Sequence, residues 1–122
     1  MTTYTKHLSE PWFSLIKLGL KKCEGRLNKG DFNVMKKGDY IIFENNDFSI
    51  PRKFKCKITS IHDYYTFEEY LESETLERCL PGIDSINEGL GIYYKYYSKD
   101  DELKYKIKGI RLKVVKYEIL KN

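Results

Sequence analysis

Gly19-Leu20-Lys21-Lys22-Cys23-Glu24-Gly25-Arg26-Leu27 is the stretch on which the reading of the chain turns. From Lys22 the residue types alternate, with Lys22, Glu24 and Arg26 in one set and Cys23, Gly25 and Leu27 in the other. Successive side chains of a strand point to opposite faces. The spacing therefore predicts a strand over 22–27, with a charged row on one face and a core on the other. Gly25 removes a side chain from the core-facing set. That points to a bulge, or to another backbone or a ligand passing close.

Upstream, Trp12, Leu15 and Ile16 fall at i, i+3 and i+4 and predict a short helix. Ser9 is its expected N-cap, Pro11 belongs to its first turn, and Gly19 ends it as the C′ residue. Trp12, the only tryptophan, is expected to pack the helix onto the sheet. The sharper alternative has its edge lining a cleft. Residues 1–8 are polar and read as loosely held.

Downstream, 28–31, 36–39 and 44–47 have turn composition, and Tyr40–Phe43 between them reads as a short buried strand. Over 52–61, Phe54, Cys56 and Ile58 alternate with Lys53, Lys55 and Lys57. This is either a functional basic ridge or an edge strand guarded by lysines. From Asp63 to Glu88 eight carboxylates face only Arg78. Phe67, Tyr70 and Leu71 recur there at helical spacing, which gives an acidic amphipathic helix over 66–78, or two short ones. Pro81-Gly82 breaks it. Ser85-x-x-Glu88 has capping-box spacing and opens a helix through Leu90 to Tyr97. Gly89 and Gly91 each cost that helix about 1 kcal/mol relative to alanine, which points to close packing against a neighbour or a ligand. Residues 104–119 alternate again, including Tyr117 and Ile119, as one long strand or two with a bulge at Gly109. The fold class expected is α+β: a small, mostly antiparallel β-barrel of five to six strands with flanking helices.

The 122 residues, 41% hydrophobic and 33% charged, make one domain over 1–122, with its core at about 8–116. No apolar run approaches the ~20 residues of a membrane helix, and the first residues lack the apolar region of a secretory signal. Three cysteines without a Cys-x-x-Cys argue against a disulfide framework or a zinc site. The expected location is intracellular, cytoplasmic with a nuclear site left open. Cys23 is flanked by cations, but alternation turns it to the core as an inert thiol. His7 and His62 are isolated, and there is no phosphate-binding glycine loop, so neither a metal nor a cofactor is expected. The net charge of +4 is concentrated in the first half, which suits phosphate-bearing partners.

The run Glu10-Pro11-Trp12-Phe13-Ser14-Leu15-Ile16-Lys17-Leu18-Gly19 through Leu27 resembles the signature of ASCH domains, a short helix, a glycine, then Lys-x-x-Glu-x-Arg on the first barrel strand. Met35-Lys36-Lys37-Gly38-Asp39-Tyr40 resembles the family's turn into a strand, and Leu80-Pro81-Gly82-Ile83 its later half. The resemblance covers roughly 8–116. It implies a PUA-like barrel and a cleft that binds RNA or a nucleotide.

On that reading Lys21, Lys22, Glu24 and Arg26 contact the ligand, and Tyr93 and Tyr97 stack on a base. The resemblance also implies an enzyme alternative. Some small ASCH proteins deacetylate a modified cytidine, N4-acetylcytidine, through Lys-x-x-Thr-x-Arg and a further Glu, and others are ribonucleases. Here Lys21 and Glu24 would be the catalytic pair, with Glu24 in place of the threonine nucleophile and Glu88 the nearest candidate for the further Glu. Losing the hydroxyl removes the covalent route, and water activation by Glu24 remains. Partners expected are RNA, a nucleotide or a modified nucleoside, with a protein partner conceivable at the acidic helix 66–78.

Overall fold

The predicted helix–glycine–strand unit forms as read in a computed structural model that describes residues 1–115. Helix α1 (Trp12–Lys17) buries Phe13 and Ile16. It ends at Gly19, with φ +80°. There the Gly19 N–H donates to the Ile16 carbonyl and the Leu20 N–H to the Leu15 carbonyl, the paired bonds of a Schellman turn. The Ser9 hydroxyl does not cap the helix as expected. The Ser9 carbonyl accepts from Phe13 N–H, and the Glu10 carboxylate accepts from both the backbone N–H and the hydroxyl of Ser14.

Strands β1 (Thr3–His7), β2 (Cys23–Leu27), β3 (Tyr40–Asn45), β4 (Arg52–Tyr64) and β5 (Ile107–Val114) make one sheet in the order β1-β3-β4-β5-β2. Three ladders are antiparallel, and β1 runs parallel to β3 with Thr3 opposite Tyr40. The sheet is mixed and curls into a half-barrel. The five strands and the mostly antiparallel pairing agree with the expected small barrel, and two details differ from it. One ladder is parallel, and the edge strands β1 and β2 share no backbone ladder among the described residues.

The N-terminal residues read as loose are in fact an edge strand. Thr3, Tyr4 and Thr5 are β-formers, but an edge strand with polar side chains shows no apolar alternation. Strand β4 is central, so Lys53, Lys55 and Lys57 are not edge guards. They line its outer face while Phe54, Cys56 and Ile58 are buried. The sheet's register shift lies between Ile58 and Ser60 on β4, rather than at Gly109.

The helices differ in detail from the expectation. Asp31–Val34 forms a one-turn helix, α2. The acidic stretch divides into α3 (Phe67–Glu74) and α4 (Leu76–Cys79), parted at Thr75 with φ +77°. Helix α5 (Ile86–Tyr93) opens with the Ser85 hydroxyl accepting from Glu88 N–H at 3.2 Å. It stops at Tyr93 rather than Tyr97. Residues 99–105 form α6 (Lys99–Tyr105), so β5 starts later than the alternation suggested. Tyr117 and Ile119 of the expected strand lie outside the described residues.

Two cores result. One packs Phe13, Ile16, Phe32 and Met35 against Ile41, Phe43, Phe54, Cys56 and Ile58. The other packs α3, α4 and α5, through Phe67, Tyr70, Leu71, Cys79 and Tyr93, against Cys23, Leu27 and Ile107. Trp12 touches both.

Gly25 lies opposite Gly109 across β2 and β5, and together they form a shelf for the fully buried Tyr70. A Cβ on Gly25 would sit 2.5 Å from Tyr70 Cε2, and one on Gly109 would sit 2.8 Å from Tyr64 and 3.0 Å from Tyr70. The glycine marks a close approach, and the approaching group is an aromatic ring. In α5, a Cβ on Gly89 would likewise meet Leu80 and Leu71 at 3.0 and 3.1 Å, whereas one on Gly91 would meet nothing within 4 Å among the described residues. The close-packing reading therefore holds for Gly89 alone.

Chemical denaturation checks this contrast. Gly25→Ala is expected to lose about 1–3 kcal/mol through overpacking. Gly91→Ala is expected to gain about 0.5–1 kcal/mol from helix propensity. A neutral Gly25→Ala would mean that Tyr70 has room to move.

Candidate functional site

Lys21 follows the Schellman turn directly, and its N–H is tied back to the Leu15 carbonyl at 3.0 Å. That tether turns the side chain inward, where it is almost fully buried. Its Nζ donates to the carbonyl of Cys23 at 2.7 Å and to that of Cys79, and pairs with Glu24 Oε1 at 3.3 Å. An ammonium has three protons, and these partners occupy all of them. The Trp12 ring lies over it, 5.7 Å from the centroid.

Glu24 is 5% exposed. Its Oε2 accepts from Arg26 Nε at 2.6 Å. Burial alone would raise its pKa, but the neighbouring Arg26 and Lys21 outweigh it and hold the carboxyl below its usual 4.5. Burial would lower the pKa of Arg26, and Glu24 reverses that so that the net shift is upward. Arg26 Nη2 donates to the His7 carbonyl at 3.1 Å. The guanidinium of edge strand β2 thus reaches the end of edge strand β1, across the seam where the sheet does not close.

Above this charged floor is a cavity of about 250 Å³. Its walls come from the end of β1 (His7, Leu8, Ser9), from Trp12 of α1, and from Ile92, Tyr93, Tyr96 and Tyr97 at the end of α5. It lies at the junction of the two cores that Trp12 bridges.

Of the residues singled out in the sequence, Lys21, Glu24, Arg26, Tyr93 and Tyr97 line this cavity. Lys22 does not. It is exposed and borders a separate hollow with Ile16 and Leu112. Tyr93 and Tyr97 stack on Phe67 at centroid distances of 4.4 and 5.3 Å, so one ring face of each is already occupied. The Tyr93 hydroxyl is buried with no hydrogen-bond partner among the described residues, and burial pushes its pKa well up.

Glu88 is exposed on the first turn of α5 and does not line the cavity. On the acidic helices, Glu68, Glu69, Glu72 and Glu77 are exposed. Glu74 is fully buried and takes Arg111 at 2.8 Å and the Tyr64 hydroxyl. No described helix is long and apolar enough to cross a membrane, and no metal-ligating cluster occurs among the described residues.

His7, Leu8 and Ser9 were not read as cavity residues, because nothing in Thr3–His7 announces the strand that brings them there. Tyr96, 63% exposed, could have been found as the outward member of the Tyr93–Tyr97 run.

The ASCH domain family matches residues 7–116. The hypothetical protein PH0355, known from a crystal structure, superposes with a TM-score of 0.84 at 36% identity, over 93% of this chain and 100% of that one. The protein PF0455 from Pyrococcus furiosus, solved by solution NMR, gives 0.76 at 36% identity, over 95% and 100%. An ASCH domain from Lactobacillus crispatus gives 0.65 at 16% identity, over 93% and 80%, a likeness of fold. No curated protein matches the sequence.

Two measurements probe the floor. Lys21→Met leaves Glu24 short of one cation and two buried carbonyls unpaired, and is expected to lose about 3–5 kcal/mol of stability. The second uses pH. Glu24 has a lower pKa folded than unfolded, so its stabilisation is complete above the unfolded value of 4.5. As pH falls below that value the unfolded chain takes up the proton first, and the contribution is lost through the folded pKa. Glu24→Gln should be less stable near neutrality but lose less of its stability on acidification below about pH 4.5, read by urea denaturation at several pH values. An unchanged acid slope would mean that Glu24 is not held ionised.

Proposed function

The chain belongs to the ASCH domain family, whose members are generally thought to bind RNA, and on that premise we propose that its cavity takes one base of an RNA or a nucleotide. The observation that carries this reading is the buried Glu24 carboxylate, clamped between Lys21 and Arg26 beneath aromatic walls. An ionised carboxylate offers about four acceptor positions. Lys21 and Arg26 engage one on each oxygen, and those remaining suit the exocyclic amine of adenine, cytosine or guanine. Uracil lacks that amine.

Arg26 has five N–H donors. Nε and one proton of Nη2 are engaged, which leaves a fork for a phosphate or a base oxygen. Trp12 and Tyr96 supply stacking surface. The volume of about 250 Å³ lies just under the roughly 300–1,000 Å³ of drug-sized sites, a scale that suits one base better than a larger ligand. Lys21 acts here by positioning Glu24, since its own protons are taken.

The same geometry weighs against the Lys21–Glu24 hydrolase. A general base works best with a pKa near the operating pH, and Glu24 is held in the opposite direction.

Titration of short labelled RNA homopolymers at two salt concentrations tests the binding reading. Expected are affinities in the micromolar range or weaker, strengthening at low salt, with oligouridine the weakest. Arg26→Ala should lose about 1–3 kcal/mol of affinity with the fold intact. Undetectable binding at low salt, or unchanged affinity in Arg26→Ala, would overturn the placement. N4-acetylcytidine should not be turned over. Turnover by the wild type that disappears in Lys21→Ala under conditions where that variant is still folded would establish the hydrolase instead.

A further inference from the structure

A second hollow of about 350 Å³ adjoins the first and shares Arg26 and Tyr97 with it as a common wall. Lys6, Lys29, Asp31 and Phe32 form the rest of its lining that matters for charge and shape. Phe32 fixes the spacing of two cations, with Lys6 Nζ at 5.0 Å and the Arg26 guanidinium at 5.1 Å from its ring centroid. Lys6 pairs with Asp31 at 2.8 Å. Lys29 is exposed, sits 5.0 Å from the Tyr105 ring, and has no carboxylate in ion-pair contact among the described residues. The hollow therefore keeps an excess of positive charge.

We propose that this outer hollow holds the next nucleotide of a single-stranded RNA, so that the ligand is a strand and not a lone nucleotide. The proposal rests on the reading that the inner cavity holds a base. Two hollows of comparable size, with a guanidinium fork at the wall between them, repeat the order of a strand: nucleoside, phosphodiester, nucleoside. Arg26 takes the linking phosphate with the donors that Glu24 and His7 leave over. Lys29 and Lys6 meet the following phosphate at the rim. A nucleoside monophosphate fills the inner cavity and places its phosphate at Arg26, and leaves the outer cations unused.

The test compares cytidine monophosphate, cytidine triphosphate and the dinucleotide CpC, carrying a terminal phosphate on its outer nucleotide, on the wild-type protein and on Lys29→Glu, a surface variant outside the inner cavity. CpC should bind wild type about tenfold or more tighter than the monophosphate, since the second nucleotide engages without a second loss of translational freedom. Lys29→Glu should remove most of that gain, leave the monophosphate unchanged, and reduce the salt dependence of a longer oligocytidine by about one counterion or more. Equal affinity for CpC and the monophosphate, or a CpC affinity indifferent to Lys29→Glu, overturns the strand while the base reading stands. A triphosphate gain matching that of CpC assigns the outer hollow to a phosphate tail and overturns it too. Failure of every probe to bind removes both readings.

Discussion

A carboxylate with almost no access to water lies between two cations, and much of the molecule is tied to that arrangement. Lys21 joins the carbonyl of Cys23 on β2 to that of Cys79 on α4 and supports Glu24 from below. Glu24 aligns Arg26, and Arg26 reaches the His7 carbonyl at the end of β1. A single run of polar contacts thus links a helix, one sheet edge and the opposite edge. Taking three charges from water is unfavourable unless the pairing geometry is good and the remaining protons find acceptors. Here the spare protons of Lys21 go to backbone carbonyls, and the outer part of the Arg26 fork remains at the cavity.

The cavity lies where it does because the sheet stops short of closing. A closed barrel would have paired β1 with β2 and filled the seam with backbone hydrogen bonds. Instead a side chain spans it, and the space above is walled by Trp12 and the tyrosines that follow α5. The glycine pair at Gly25 and Gly109 works from the other side of the same strand. It lets Tyr70 lie flat against β2 and β5, which brings α3 close, and with it Phe67, the ring on which Tyr93 and Tyr97 stack.

What could be read from the sequence was local chemistry. Gly19 as a helix stop, Ser85 as a cap, a strand over 22–27 (formed as Cys23–Leu27) and Gly25 as a point of close approach each follow from a few adjacent residues. What could not be read depended on partners far along the chain. Nothing in Thr3–His7 announces a parallel pairing with Tyr40–Glu44, and nothing in Arg52–Ile61 says whether that strand is central or at an edge. The charged row shows the same limit. Strict alternation groups Lys22 with Glu24 and Arg26, yet Lys21 joins them, because residues 19–21 still belong to the turn and its i,i+3 offset carries the ammonium beneath Glu24. The identity of the family was accessible because its motifs are local. Lys21's engagement as a strut was not, since one of its acceptors, the Cys79 carbonyl, comes from α4.

Strand β2 has a further property that follows from its place in the sheet. It is made well before β5, yet among the described residues its only ladder is with that strand. Until Ile107–Val114 has been made, Glu24 and Arg26 have no sheet to belong to, and the long loop between the two strands must be closed before their pairing is rewarded. Helices α3 to α5 all lie within that loop. The cavity is thus assembled only after β5 arrives, and a chain interrupted before that strand carries the whole Lys-x-x-Glu-x-Arg motif with no site.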